Sequence, residues 1–503
     1  MVLNKFTSRK LSPWFNILAW QVVVPIAFIL IVLFFFPSRA KFQFSFDEGV
    51  NLMKAMLLEQ GYPLYSEIWS DQPPLFTYLL AVVFRYFRFD VGAFRAFVLI
   101  LSSVLLWASF QFMRIIGGKW LALTGALLIF LLPTYMVLSV SVMVGLPAIT
   151  FATLSLLTLA LWHKHRNYLW IALSAIALGL SVLTKLFTGF LAPIFIVGIL
   201  VGEYVRLGEK RSLRKLLGPP MVWIGVFTGI TLVLGLTLVG LDNVGQLLQS
   251  HLSAQNVEVF QLEEFTLVFH LRRAWPILFL ALIGALFALR SRRWLLLYPL
   301  VWMGTAFLLF YRHTPVWDHH QLLITVPAAL LAAVAVYEVG RYLIQIFGSQ
   351  FKLSGSGILY AVALISIFAF FFSFRVPETI STLSPRPSLS TSGLELDLRD
   401  EKFLIKMRRF APQTDWVVTD IAMFAFRSGL PVPPNLAVFT MKRFETGNLT
   451  EEEVIDAIQK YQPEQVLLGR RKYHLIEEFL LEDYRLIRFD RKIKLYLRND
   501  VGT

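Results

Sequence analysis

Five carboxylates, a Gly-Tyr-Pro turn and a Pro-Pro step fall within residues 45–75, between one long apolar segment and many more. Soluble-looking acidic sequence at the border of apolar segments needs a reason. Asp47 and Glu48 lead the group. The Ser-x-x-Glu pattern at Ser45 and Glu48 predicts a capping box and a helix running to Gln60, where Gly61 and Pro63 stop it. That reading gives Glu48 a structural task that Gln could also perform. Asp47 is left over, and at helical spacing it shares a face with Asn51 and Lys54. The plainer alternative is that Asp47 only complements the positive end of the helix dipole.

Further along the chain, the polar side chains with chemical potential are Asp71, Arg95, Lys185, Arg312, His313, Asp318, His319 and His320. Lys185 sits in the apolar run LTKLFTGF. It either snorkels to the membrane border or, opposite an acid-rich loop, serves as a cation for a phosphate. Neighbouring His319 and His320 point apart on a helix, a poor arrangement for one metal ion. One of them is expected to donate a hydrogen bond to substrate while the other packs.

These residues need a scaffold, and composition says which. The chain has 503 residues, 56% of them hydrophobic and 16% charged, with a net charge of +14 and no cysteine. That is too apolar for soluble domains. The Lys and Arg excess falls in short loops rather than on a groove-reading element, so no nucleic acid is implied. Without cysteine, disulfides, a thiol nucleophile and a cysteine metal site are excluded. The first apolar run, 13–36, is longer than a signal-peptide core and is read as a retained span.

Candidate spans are 14–36, 96–116, 120–138, 141–162, 168–184, 186–204, 216–240, 272–289, 294–310, 321–343 and 357–374, about eleven in all. The short segment 74–88 is read as a second helix lying in the interface. With the N-terminus cytoplasmic, the basic clusters at 114–119, 163–166, 206–215, 290–293 and 341–352 then all fall inside. The first outer loop (37–95), the loop 241–271 and the segment 311–321 share the outer side. In 241–271 an amphipathic helix is expected, followed by a mobile segment. The fold class is therefore a polytopic α-helical membrane protein with interfacial helices in its first outer loop and a small C-terminal α/β extracytoplasmic domain. The division is 1–374 for the membrane part, 375–393 for a Ser/Pro/Thr linker and 394–503 for the outer domain. In that domain 415–420 and 464–469 read as strands, 450–461 as a helix with a Thr450/Glu453 capping box, and 484–498 as a hairpin.

An Asp-Glu pair after the first span (Asp47, Glu48), a Pro-Pro-Leu motif opening an interfacial helix (Pro73, Pro74, Leu75) and an Arg before the second span (Arg95) resemble the first outer loop of GT-C superfold glycosyltransferases. This superfold is shared by protein O-mannosyltransferases and lipid A aminoarabinose transferases. Leu183-Thr184-Lys185 and the many-span plan with an outer C-terminal domain are similar too, and TDIAMFAFRSGLPVPPNLA in the tail looks like prokaryotic mannosyltransferase-like members. The resemblance implies an integral membrane, multi-pass bacterial glycosyltransferase that moves a sugar from a polyprenyl-phosphate donor to a hydroxyl of a glycan, lipid or protein acceptor. It implies Asp47 as general base, with Glu48, Asp71, Arg95, Lys185, Arg312, His319 and His320 around the substrate. Two positions depart from the family pattern. Gln72 stands before Pro-Pro, where relatives often carry Lys or His, and the turn 139–141 has no carboxylate. No metal-ligand motif is present, while the resemblance admits a divalent metal. The chief alternative class is a polytopic transporter or lipid flippase, against which the near absence of charge within the spans counts. A non-catalytic scaffold is the third.

Overall fold

The computed structural model describes residues 13–35, 41–209, 212–348 and 392–502. The expected span 357–374 and all but the end of the 375–393 linker lie outside these residues. The membrane part contains α1 (Pro13–Phe35), α2 (Phe46–Glu59), α3 (Leu75–Phe87), α4 (Val91–Phe130), α5 (Pro133–Leu138), α6 (Gly145–His165), α7 (Tyr168–Thr184), α8 (Leu191–Leu207), α9 (Leu213–Val239), α10 (Val244–Ala254), α11 (Leu267–Arg290), α12 (Leu297–Tyr311) and α13 (Leu322–Gly348). Among the described residues, seven helices are long and apolar enough to cross a membrane.

α4 is two arms rather than one rod. Gly117 and Gly118 leave helical dihedrals, and Gly118 has φ +81°. A methyl group on Gly125 would lie 3.3 Å from the Met113 side chain, whereas residues twelve apart in a straight helix are about 18 Å apart. The chain therefore doubles back, separating the expected 96–116 and 120–138 segments. The second of these is shorter than expected. It ends at Phe130, and Pro133 opens the separate short helix α5, because Pro is favoured in a first turn and cannot continue a preceding one.

Close backbone approach holds the bundle together. A Cβ on Gly284 of α11 would meet the Leu331 carbonyl oxygen of α13 at 1.9 Å, so these helices touch main chain to main chain. α6 packs on α7, and α7 on α9. Glu203 pairs with Arg166 and Arg206, and Glu338 with Arg293 and Arg341. Both clusters lie a dozen or more residues from the Lys185 and His320 ends of α8 and α13, about 20 Å or more along a helix.

α3 spans only about 20 Å at thirteen residues, short of the ~30 Å a crossing requires. Asp71, just before it, bonds Lys442 of the C-terminal region, while Phe84 near its end packs on Phe426 of the same region. Both ends of α3 thus lie against one body, and the helix runs across the bundle as the sequence reading expected. After α10 the expected mobile segment is anchored instead. Phe260 is fully buried, Phe260 and Phe265 pack on Trp317, and the Val316 N–H donates to the Phe265 carbonyl at 2.8 Å.

The C-terminal region comprises α14 (Ser392–Phe410), β1 (Val417–Thr419), α15 (Ala422–Ser428), α16 (Met441–Glu445), α17 (Glu451–Tyr461), β2 (Gln465–Leu468), α18 (His474–Asp483), β3 (Tyr484–Asp490) and β4 (Ile493–Arg498). Its sheet has the order β1-β2-β4-β3, with β1 and β2 parallel and β3–β4 the expected hairpin. The Thr450/Glu453 capping box of α17 is present in both directions. α15 docks directly on α2. A Cβ on Gly49 would lie 2.4 Å from the Met423 backbone nitrogen, so only glycine permits this contact. Gly49→Val should force the two bodies apart, at a cost of about 1–3 kcal/mol for overpacking. The expected readouts are a lowered melting temperature in detergent and faster proteolysis near 392–410. A wild-type melt and digest would show that the docking tolerates a side chain.

Candidate active site

α2 begins at Phe46, as its pattern predicts, but not by the expected cap. The Ser45 side chain makes no capping bond. Glu48 reaches back one residue further, accepting the Phe44 N–H at 3.0 Å, and it also takes both arms of the Arg95 guanidinium at 2.9 and 2.7 Å. Its Oε1 accepts the Val142 N–H at 3.2 Å as well. A fully buried carboxylate with four donors prefers the charged partner, since a neutral cap bond contributes only about 1 kcal/mol. Arg95 spends its remaining donors on the Lys41 and Phe42 carbonyls. Glu48 and Arg95 therefore brace the loop from behind and do not line the cavity, contrary to the substrate contacts expected of them. Arg312 is exposed and also lies outside the lining.

With Glu48 turned away, the opposite face of α2 opens into a cavity of about 290 Å³. Asp47, Asn51 and Lys54 share that face as their spacing predicted. Asn51 is fixed by donating to the Val142 carbonyl at 2.9 Å, and Lys54 reaches the Ser70 hydroxyl at 3.5 Å. Lys185 enters from the break between α7 and the Leu186–Phe190 turn. It has extended dihedrals, its N–H donates to the Ser181 carbonyl at 2.8 Å, and its own carbonyl accepts the Thr188 hydroxyl at 2.9 Å. The break aims the side chain inward, where it is 5% exposed. Asp71 and His319 complete this part of the wall. His320 also borders the cavity, yet its ring stacks on Phe310 at 5.2 Å and meets Phe187 edge-on, so it is the packing histidine of the pair.

His313, expected on the outer face, borders the same space and hydrogen-bonds Gln255. Three residues that the sequence did not single out join it, and of these Trp317 forms part of the rim. Lys442 and Arg470 come from the C-terminal region. Lys442 donates to Asp71 at 2.7 Å. Arg470 lies over the Phe46 ring at 4.2 Å, and its backbone N–H is fixed by Asp420 at 2.7 Å. Neither has a local sequence signal, because both are ordinary basic residues in a domain whose docking is a long-range event.

The electrostatics follow from burial in mixed charge. Burial pushes the Asp47 carboxyl up from its ordinary value, and Asp71 adds to this, while Arg470, Lys185 and Lys54 oppose it. Lys54 is pushed down by burial and held up by Asp71 and Asp47. Lys185 is lowered to about 7 by burial and by Lys442, against the pull of Asp47 and Asp71. An acid shifted up beside a lysine shifted down is the signature of groups tuned for proton and anion chemistry. Among the described residues no three His, Asp or Glu side chains converge as a metal-binding group, and Asp71 instead takes an ammonium.

The brace behind the cavity makes a stability claim. Glu48→Gln would set an amide donor against the guanidinium, and Arg95→Ala would strand a buried carboxylate. Breaking a buried pair costs about 3–5 kcal/mol, so both variants should lower the melting temperature in detergent by many degrees. Melting within a degree of wild type would show that the pair is dispensable.

Three sets of similarities bear on this architecture. The family model described as dolichyl-phosphate-mannose-protein mannosyltransferase matches residues 71–236. ArnT from Cupriavidus metallidurans in the apo state superimposes with a TM-score of 0.60 at 15% identity, covering 96% of this chain and 98% of that one. The same protein bound to undecaprenyl phosphate gives 0.59 at 14% identity, covering 95% and 98%. The archaeal oligosaccharyltransferase AglB from Archaeoglobus fulgidus, in complex with an inhibitory peptide and a dolichol-phosphate, gives 0.55 at 13%, covering 91% of this chain and 70% of that one. No curated protein sequence matches the chain. The chain is an integral membrane protein that shares the fold of ArnT and AglB, and its residues 71–236 match the family model described as dolichyl-phosphate-mannose-protein mannosyltransferase.

Proposed function

We propose that the protein is a membrane glycosyltransferase that moves a sugar from a polyprenyl-phosphate donor to an acceptor hydroxyl. The observation that carries this reading is the convergence of Asp47 and Lys185, from two distant elements, on one buried cavity. The similar structures agree with it, since ArnT was solved with undecaprenyl phosphate and AglB with a dolichol-phosphate.

The reaction has a charge problem that this cavity answers. The donor is a phosphodiester with one negative charge. As the sugar C1–O bond to phosphate breaks and the bond to the acceptor oxygen forms, the leaving polyprenyl phosphate gains a second charge. A stable anion leaves, so no general acid is required, unlike hydrolysis between two carboxylates. Asp47 takes the acceptor proton, and its raised affinity for protons makes it a stronger base than an exposed carboxylate. Lys185 sits where a cation would stabilise the developing phosphate charge in a site shielded from water. A single displacement inverts the anomeric centre.

Consumption of polyprenyl-phosphate sugars by the purified protein is the direct test. Asp47→Asn should lower turnover by about two to four powers of ten, with donor affinity near wild type. Near-normal turnover would remove Asp47 from the role of base. The charge of the phosphodiester is constant across neutral pH, so the pH dependence of its binding comes from the protein. Protonated Lys185 binds the anion. Donor affinity should be full below about pH 7 and fall as pH rises through that value, while Lys185→Arg should flatten the profile because guanidinium stays charged. An unchanged profile in Lys185→Arg would assign the titration to another group.

The proposed orientation places the cavity on the outer face and the Glu203 and Glu338 clusters inside, in keeping with the basic loops. A reporter inserted between Leu207 and Leu213 should register on the inner side, and one fused at residue 503 on the outer side. Registration of both on one side would overturn the orientation.

A further inference from the structure

The proposed base and clamp both belong to the membrane part, yet a substantial part of the cavity wall does not. Val438, Thr440, Met441, Lys442 and Arg470 come from the C-terminal region. The loop 435–448 is held rigidly toward the cavity by Arg443. That buried guanidinium donates to the Asn448 carbonyl at 3.1 Å and the Asn435 carbonyl at 2.5 Å. It also lies over the Trp69 ring at 4.5 Å. Trp69 is two residues from Asp71, the partner of Lys442. Consecutive residues of α16 thus grip the same short segment, Arg443 through a ring face and Lys442 through a carboxylate.

A latch would need only Arg443. Lys442 does something further, because its ammonium is half-buried on the cavity wall and close enough to Lys185 to depress that lysine's charge. Two ammonium groups facing one small space repel each other, and an anion between them relieves the repulsion. Four cations, Lys54, Lys185, Lys442 and Arg470, line the cavity. Against them stand Asp47, Asp71 and Asp318, the last turned to solvent beside Arg273. The basic groups that line the cavity thus outnumber the carboxylates turned toward it.

Building on the glycosyltransferase reading, we propose that Lys442 of the C-terminal domain is a second phosphate-binding cation, held in place by Asp71 until the donor phosphate takes over its ammonium. The C-terminal domain is then an integral wall of the substrate site. Asp71 competes with the phosphate for Lys442 while positioning it.

This assigns opposite signs to the two members of one ion pair, which a purely structural latch does not. Undecaprenyl phosphate binding to the full-length protein in detergent is the readout, with melting temperature recorded alongside. Lys442→Gln should weaken binding by about tenfold or more, the range of a charge-assisted hydrogen bond. Lys442→Arg should restore most of it. Compared at a pH well below 7, where Lys185 stays protonated, Asp71→Asn should bind at least as tightly as wild type, because it removes the carboxylate that competes with the phosphate for Lys442. Equal weakening in Lys442→Gln and Asp71→Asn, with equal loss of melting temperature, would reduce the pair to a latch and overturn the proposal. Wild-type affinity in Lys442→Gln would overturn it as well. If wild type itself neither binds undecaprenyl phosphate nor consumes its sugar conjugates, the glycosyltransferase reading fails first, an outcome separable from these.

Discussion

The buried ion pair between Glu48 and Arg95 is the constraint on which the cavity rests. Two charges out of water are tolerated only with good geometry and further hydrogen bonds around them, and this pair has both. Glu48 takes four donors, and Arg95 reaches the Lys41 and Phe42 carbonyls. Those same two carbonyls accept Arg427 of the C-terminal region at 2.8–3.2 Å, and Phe42 packs on Phe424. One short segment is thereby shared by guanidinium groups from both bodies. The pair fixes how α2 is rotated about its axis, and that rotation points Asp47 into the cavity.

A brace on one side and a reactive face on the other is a division of labour within a single helical turn. Asp47 and Glu48 are neighbours in sequence, about 100° apart around the helix. Glu48 is neutralised and fully buried, whereas Asp47 faces cations at longer range. The first arrangement gives rigidity. The second leaves a carboxylate with a raised proton affinity on the cavity face, as the proposed role of general base requires.

Docking of the C-terminal region serves the same end. Gly49 admits the Met423 backbone, the rings of Phe84, Phe89 and Phe94 surround Phe426, and Arg443 caps Trp69. These contacts run along α2, the segment between α2 and α3, α3 and the start of α4, the stretch that carries Asp47 and Asp71. Asp420, a buried carboxylate on the tail motif, accepts the Gly469 and Arg470 N–H groups and so sets the loop that brings Arg470 over Phe46. The charge lining the cavity thus depends on an interface between two bodies rather than on either alone.

Much was legible in the sequence because it is local. Apolar runs located the helices, the 3.6-residue repeat put Asp47, Asn51 and Lys54 on one face, and alternation and capping residues located the tail's strands and α17. Lys185 stood out as a charge in an apolar run, and 74–88 was too short to span. Other features were decided by tertiary structure. The Ser45 cap yielded to Arg95, a partner 47 residues away, because a neutral local bond is weaker than a buried charged one. The doubling-back at Gly117–Gly118 and the stop at Phe130 set lengths that hydropathy blurs. Lys442 and Arg470 joined the site across some 370 to 420 residues of chain. Periodicity reports which face of an element is apolar, but it is silent on which distant element meets that face, and the composition of this cavity is set by those meetings.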